Sequence, residues 1–222
     1  MSDLSERLSL VTGQIAEAAR AAGRQPDELT LIVVTKFHPA SLVRELFDLG
    51  VRDVGENRHQ EAQAKAAELA ELDLDWHFIG QLQSNKAKAV RQYAHAIHSV
   101  DRASLADALA GEPAIDCFVQ VNLTDDPGRG GVSDADLDAL VEHVLSTEGL
   151  RLRGLMAVAP LDEEPRRAFA RVRVMSERIR QMAPEATDLS MGMSHDFAEA
   201  IAEGATHLRI GSAITGNRPP VG

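Results

Sequence analysis

The sequence predicts an α/β chain closed into a single (β/α)8 barrel with an extra helix in front. Three observations carry this expectation. Eight short apolar runs alternate with eight helical patterns along the 222 residues, and such alternation implies right-handed crossovers and a parallel sheet. The apolar content is 44% but the aromatic content only 4%, which suits aliphatic strands covered by helices. The length matches one barrel of this type. A doubly wound open sheet is the competing architecture, and it does not require eight similar units.

The elements follow in order. Leu4, Leu8, Val11, Ile15 and Ala18 recur at helical spacing and predict an amphipathic helix over 4–22. The run LTLIVVTK predicts strand 29–36, followed by a helix over 39–49 that Pro39 opens and Gly50 closes. Strand 51–55 precedes a helix over 57–72, and strand 75–80 precedes one over 84–93. Strand 96–100 leads into a helix that Asp101 is placed to cap. Strand 114–123 is followed by a glycine-rich loop, TDDPGRGG, and a helix over 133–147. Strand 150–160 precedes helix 163–182, strand 188–193 precedes helix 194–203, and strand 207–211 leads into a last short segment. No linker or low-complexity stretch divides the chain, so residues 1–222 are expected to form one domain.

Composition narrows the function classes. Acidic residues outnumber basic ones 34 to 23, a net charge of −11, which argues against nonspecific nucleic-acid binding and against an anionic membrane surface. No apolar run approaches the roughly 20 residues that span a bilayer, and the N-terminus lacks the pattern of a signal peptide. A single cysteine, Cys117, excludes an intrachain disulfide and reads as a small core residue. The expected compartment is the cytoplasm.

In a barrel, chemistry gathers at the C-terminal ends of the strands. Those ends carry Lys36, Asn57, Asn122, Met156, Ser194, Arg209, Gly211 and Ser212. Taken alone, Lys36 reads as the place where the strand meets water; at a barrel mouth, its amine becomes a candidate Schiff-base nucleophile. Ser194, Gly211 and Ser212 follow strands seven and eight, where barrels often hold phosphate. Arg209 shares a strand face with Gly211; it is either one half of an ion pair with Glu56 or Asp196, or a donor to a ligand ring or carboxylate. An amine and a phosphate cradle across one mouth suggest a phosphorylated aldehyde such as pyridoxal 5′-phosphate.

The blocks VTKFHP, DVGENRHQEA, WHFIGQLQSNKAK, HSVD, GLMAV, LSMGMSHD and LRIGSAITGNR occur in order across nearly the whole chain. Together they resemble the YggS/PROSC family of pyridoxal phosphate homeostasis proteins, whose fold is similar to the N-terminal barrel of alanine racemase. The resemblance implies that Lys36 carries the cofactor as a Schiff base and that Ser194, Gly211 and Ser212 hold its phosphate. It also implies that Arg209 faces the pyridine nitrogen, with Asn57 and Met156 lining the site. His77, Asn85 and Lys86 match the HFIGQLQSNK block and are expected to be loop and helix-start structure without ligand contacts. Two positions depart from the pattern: Phe37 stands where a small polar residue is common, and Thr215 where phenylalanine is common.

The racemase uses a second base, a tyrosine from another domain of the partner subunit. Tyr93 is the only tyrosine here, and it is expected on the outer layer. The expected function is therefore a pyridoxal phosphate binding protein of cofactor homeostasis without robust turnover, a monomer, with apoenzymes as recipients. A weak amino-acid racemase is the alternative. A Schiff-base aldolase acting on a sugar phosphate is a third reading, outside the resemblance.

Overall fold

The computed structural model describes residues 3–217. Met1, Ser2 and the chain from Arg218, which ends the last sequence block, lie outside the described residues. The eight strands are β1 (Thr30–Val34), β2 (Asp53–Glu56), β3 (Asp75–Phe78), β4 (Ala96–Val100), β5 (Ile115–Gln120), β6 (Leu150–Met156), β7 (Asp188–Ser190) and β8 (His207–Ile210). They pair in sequence order, all parallel, and β8 pairs with β1 through Ile32 and Arg209, so the sheet closes. That pairing decides between barrel and open sheet.

The helices are α1 (Asp3–Ala21), α2 (Ala40–Asp48), α3 (His59–Glu68), α4 (Ala87–Val90), α5 (Ala103–Leu109), α6 (Leu137–Ser146), α7 (Pro165–Ile179), α8 (Phe197–Ala202) and α9 (Ser212–Thr215). Val43, Leu46, Leu105, Leu137, Val141, Phe169 and Val172 are fully buried between this ring and the strands. The extra helix α1 packs against α8 and α9, and Arg7 Nε donates to the Ile214 carbonyl at 2.6 Å. Cys117 is buried, and burial pushes its thiol up to about 12, consistent with a packing role.

Several expected boundaries shift, each for a local reason. Strand β1 stops at Val34, and Lys36 opens a turn closed by the His38 amide on the Thr35 carbonyl. The helix expected over 84–93 is a 3-10 turn, Ser84–Lys86, and a single α turn, α4. Asp101 does not cap α5; its carboxylate accepts from the Arg102 side chain. Ser194 does not cap α8, because the turn runs on to Asp196, which holds the cap position and accepts from the Met193 amide. The loop after β5 is turn chemistry as expected: Asp126 Oδ1 accepts from the Gly128 amide, and Gly130 and Gly131 take positive φ. Among the described residues, no helix is long and apolar enough to cross a membrane.

Candidate functional site at the barrel mouth

Closing the sheet brings the C-terminal strand ends together, and a cavity of about 340 Å³ opens there. Lys36, Asn57, Met156, Ser194, Arg209, Gly211 and Ser212, from five of the eight βα connections and strands, all line it. The seven residues were spread over 177 positions of sequence, and the barrel gathers every one of them. Ile79, Val158 and His195 line it as well; His195 went unremarked in the sequence because its turn was read as the start of a helix.

Lys36 is half-buried. Its Nζ lies 5.9 Å from the Phe37 ring centroid, and among the described residues it makes no ion pair. Phe37 takes a left-handed backbone (φ 69°), rare for a bulky residue and a sign of a constrained turn. The Phe37 amide donates to Glu61 Oε2 at 3.1 Å, which pins that turn to α3. On the far side of it Lys65, on α3, reaches the Thr35 carbonyl at 2.9 Å and Glu56 Oε1 at 2.6 Å. Burial raises the Glu56 pKa despite Lys65 and the Thr35 hydroxyl, which donates to the same oxygen.

Arg209 is 5% exposed. Neither ion pair considered for it forms among the described residues: Glu56 is taken by Lys65, and Asp196 acts on Arg209 only from beyond contact. Arg209 instead donates from Nη1 to Ser190 Oγ at 2.7 Å and from Nη2 to the Ala157 carbonyl at 2.8 Å. Burial lowers its pKa to about 10, so it stays cationic at neutral pH. Gly211 precedes α9, and the amides of Ser212 and Ala213 open that helix without intrahelical acceptors. The Asn57 backbone is held by Gly80, where a Cβ would come 2.1 Å from the Asn57 carbonyl oxygen. The buried Asn57 Oδ1 has no hydrogen-bond partner within the described chain.

His77 lies on β3, within the strand expected over 75–80, and is buried inside the barrel at 3% exposure; only the loop reading attached to its sequence block fails for it. Asn85 and Lys86 are exposed in the 3-10 turn after β3, and Lys86 lines a neighbouring polar cleft that shares Asn57 with the mouth. Tyr93 does not line the mouth; its hydroxyl lies 3.3 Å from His59 Nδ1, and burial raises its pKa. A larger cleft of about 550 Å³ lies between the loop after β5, the turn before α6 and α7. Its arginines are engaged, Arg171 by the Leu123 carbonyl and Arg178 by Asp134 and Asp138, so the mouth is the better chemical site.

Residues 12–219 match the alanine racemase N-terminal domain. The pyridoxal phosphate homeostasis protein of Pseudomonas aeruginosa is 45% identical over 98% of this chain and 97% of its own length. The chain belongs to the family of pyridoxal phosphate homeostasis proteins. The Escherichia coli K12 member is 39% identical, with 98% of each chain covered. Among solved structures, PipY of Synechococcus elongatus with pyridoxal phosphate bound superposes with a TM-score of 0.86 and 40% identity, covering 96% of this chain and all of that one. The family match runs from within α1 through α9 and so covers all eight strands and the residues of the mouth.

Proposed function

We propose that this chain binds pyridoxal 5′-phosphate in the mouth cavity, with Lys36 Nζ bonded to the aldehyde carbon, and that it serves cytoplasmic cofactor homeostasis and supply as a monomer without robust turnover. The observation that carries this reading is that an amine with no ion pair among the described residues, a buried guanidinium and the first amides of α9 lie at one cavity. The pyridoxal phosphate-bound PipY and the names of the curated relatives support it.

The residues present fit the cofactor. Asn57 Oδ1 is an orphaned acceptor at the cavity. Arg209 has donors to spare after its two bonds to Ser190 and Ala157. Ser194, Gly211 and Ser212 would hold the phosphate, with the first amides of α9 among the donors, and Met156 would pack against the ring. When bound, the cofactor supplies an electron sink for amino-acid chemistry. Arg209 restrains that sink, because a fixed cation beside the ring nitrogen disfavours a second positive charge there. Tyr93 lies outside the cavity with a raised pKa and cannot act as the opposing base. These residues therefore hold the cofactor better than they would drive a reaction on it, and apoenzymes are the recipients this chemistry serves.

Borohydride reduction followed by peptide mapping tests the reading. A pyridoxyl label on the Lys36 peptide, lost in Lys36→Ala, is the expected result; a label on any other lysine would sink it. The alternative, weak racemisation, is favoured by His195, a titratable group on the same cavity as Lys36. Chiral analysis of alanine incubated with the loaded protein decides it. D-isomer formation abolished by both Lys36→Ala and His195→Ala would establish the racemase.

A further inference from the structure

A hydrogen-bonded chain of side chains crosses the barrel interior, and only its last member, Arg209, belongs to the mouth. It starts at Asp53, the first residue of β2, whose Oδ1 lies 2.9 Å from His77 Nε2. His77 Nδ1 lies 2.9 Å from His98 Nε2, and His98 Nδ1 lies 2.8 Å from Ser190 Oγ. Ser190 Oγ then accepts from Arg209 Nη1 at 2.7 Å. Strands β2, β3, β4, β7 and β8 each contribute one member. His98 and Ser190 are wholly buried, so no water competes for their bonds.

Counting protons gives the chain a direction. A guanidinium only donates and an ionised carboxylate only accepts. Ser190 accepts from Arg209, so its own hydrogen goes to His98 Nδ1. A neutral His98 then carries its hydrogen on Nε2 and donates to His77 Nδ1. His77 in turn carries its hydrogen on Nε2 and donates to Asp53. Every bond in the chain is made with both rings neutral. The reverse order would set a bare imidazole nitrogen against the carboxylate. Burial first, and then His77, His207, Arg209 and His95, favour the neutral ring of His98.

We propose that Asp53, His77, His98 and Ser190 are positioning residues for the cofactor: a one-way hydrogen-bond chain, anchored on Asp53 at the opposite end of the barrel, commits the Ser190 hydrogen away from Arg209 and so holds the guanidinium as a donor toward the bound ring. The proposal rests on the reading that pyridoxal phosphate occupies the mouth. Asp53 thereby influences a ligand that it does not touch. The Ala157 carbonyl fixes the second Nη, leaving the guanidinium little freedom to turn. Networks of this kind act as units, since each buried member is costly to leave unpaired.

The test has two arms. Long-range ¹⁵N–¹H spectra of the histidine rings in the cofactor-free protein should show both His77 and His98 as the Nε2–H tautomer. A hydrogen on Nδ1 of either ring overturns the chain's direction, whatever the ligand. Pyridoxal phosphate titration, followed by absorbance under conditions where circular dichroism shows a folded protein, is the second arm. Asp53→Ala should raise Kd about threefold to tenfold, less than the full worth of a charge-assisted hydrogen bond because Asp53 acts on Arg209 only through His77, His98 and Ser190. Asp53→Asn keeps an acceptor oxygen in place and should restore most of the affinity. An unchanged Kd in Asp53→Ala, or equal losses in both variants, overturns the positioning role. A wild-type chain that binds no pyridoxal phosphate would sink the site reading, while the tautomers still decide the direction.

Discussion

Two lysines in the first two βα units meet opposite surroundings. Lys65 is 7% exposed and saturated: Glu56 and the Thr35 carbonyl surround its ammonium. Lys36 is half-buried, faces a cavity and, among the described residues, has only an aromatic ring 5.9 Å away. The buried lysine has its charge neutralised on site, and its bond to Thr35 supports the turn that presents the other. The contrast runs through the whole molecule. At the opposite end of the barrel the acidic residues are paired, Asp75 with His95, Asp116 with Arg151 and Asp188 with Arg153, whereas among the described residues the mouth leaves the Lys36 amine without an ion pair, the buried Asn57 Oδ1 without a hydrogen bond and the first amides of α9 without helical acceptors. Satisfied polar groups stabilise a fold, and unsatisfied ones await a ligand.

The largest effect is expected from removing the buried lysine. Lys65→Met leaves Glu56 buried with no cation beside it and only the Thr35 hydroxyl as a donor, and should cost about 3–5 kcal/mol in urea denaturation at pH 7. Adding Glu56→Gln should recover much of that loss. A cost below about 1 kcal/mol would show that Lys65 behaves as a surface group and the contrast is false.

A second test uses pH on the paired end of the barrel. Burial lowers His207 to about 4, against opposing and supporting charges from Asp188, His77, Asp53 and Arg153, and it also lowers His98. The unfolded histidine, titrating near 6.5, binds more protons than the folded one between these values. Stability is therefore full above about pH 6.5 and falls as pH drops toward 4, by on the order of 3 kcal/mol for His207. Urea midpoints at pH 7 and pH 5 should differ in this sense, and His207→Gln should narrow the difference. A midpoint unchanged down to pH 5 would contradict neutral histidines in the core.

The smallest expected effect is the most informative. Lys36→Ala should change stability by no more than about 0.5 kcal/mol, because the amine contributes no ion pair to the described fold. A loss comparable to that of Lys65→Met would make Lys36 a structural residue and remove the distinction between the two.

Much of this was legible in the sequence. Eight strand–helix alternations with an aliphatic composition indicated the barrel, since parallel strands buried on both faces need that pattern. The seven mouth residues were legible because barrel topology sends every strand end to the same face. Ser194 was misplaced because an irregular turn leaves no periodic signal, and the inward burial of His77, inside the expected strand 75–80, went unread because so short a strand gives little alternation. The interior chain was the least legible part. His77, His98 and Ser190 each occupy an inward position on a separate strand, and nothing local announces that three such positions will meet.

The sequence by itself determined which residues could do chemistry and which strand ends would carry them, because patterning and spacing are local properties. Only the tertiary structure decided which charges are satisfied. Packing of β8 beside β7 put Arg209 against Ser190 rather than an acid, packing of α3 on β2 gave Glu56 to Lys65, and closure of the barrel left Lys36 at the mouth. Pairing depends on distances of a few ångströms between side chains on different elements, and those distances exist only once the elements have packed.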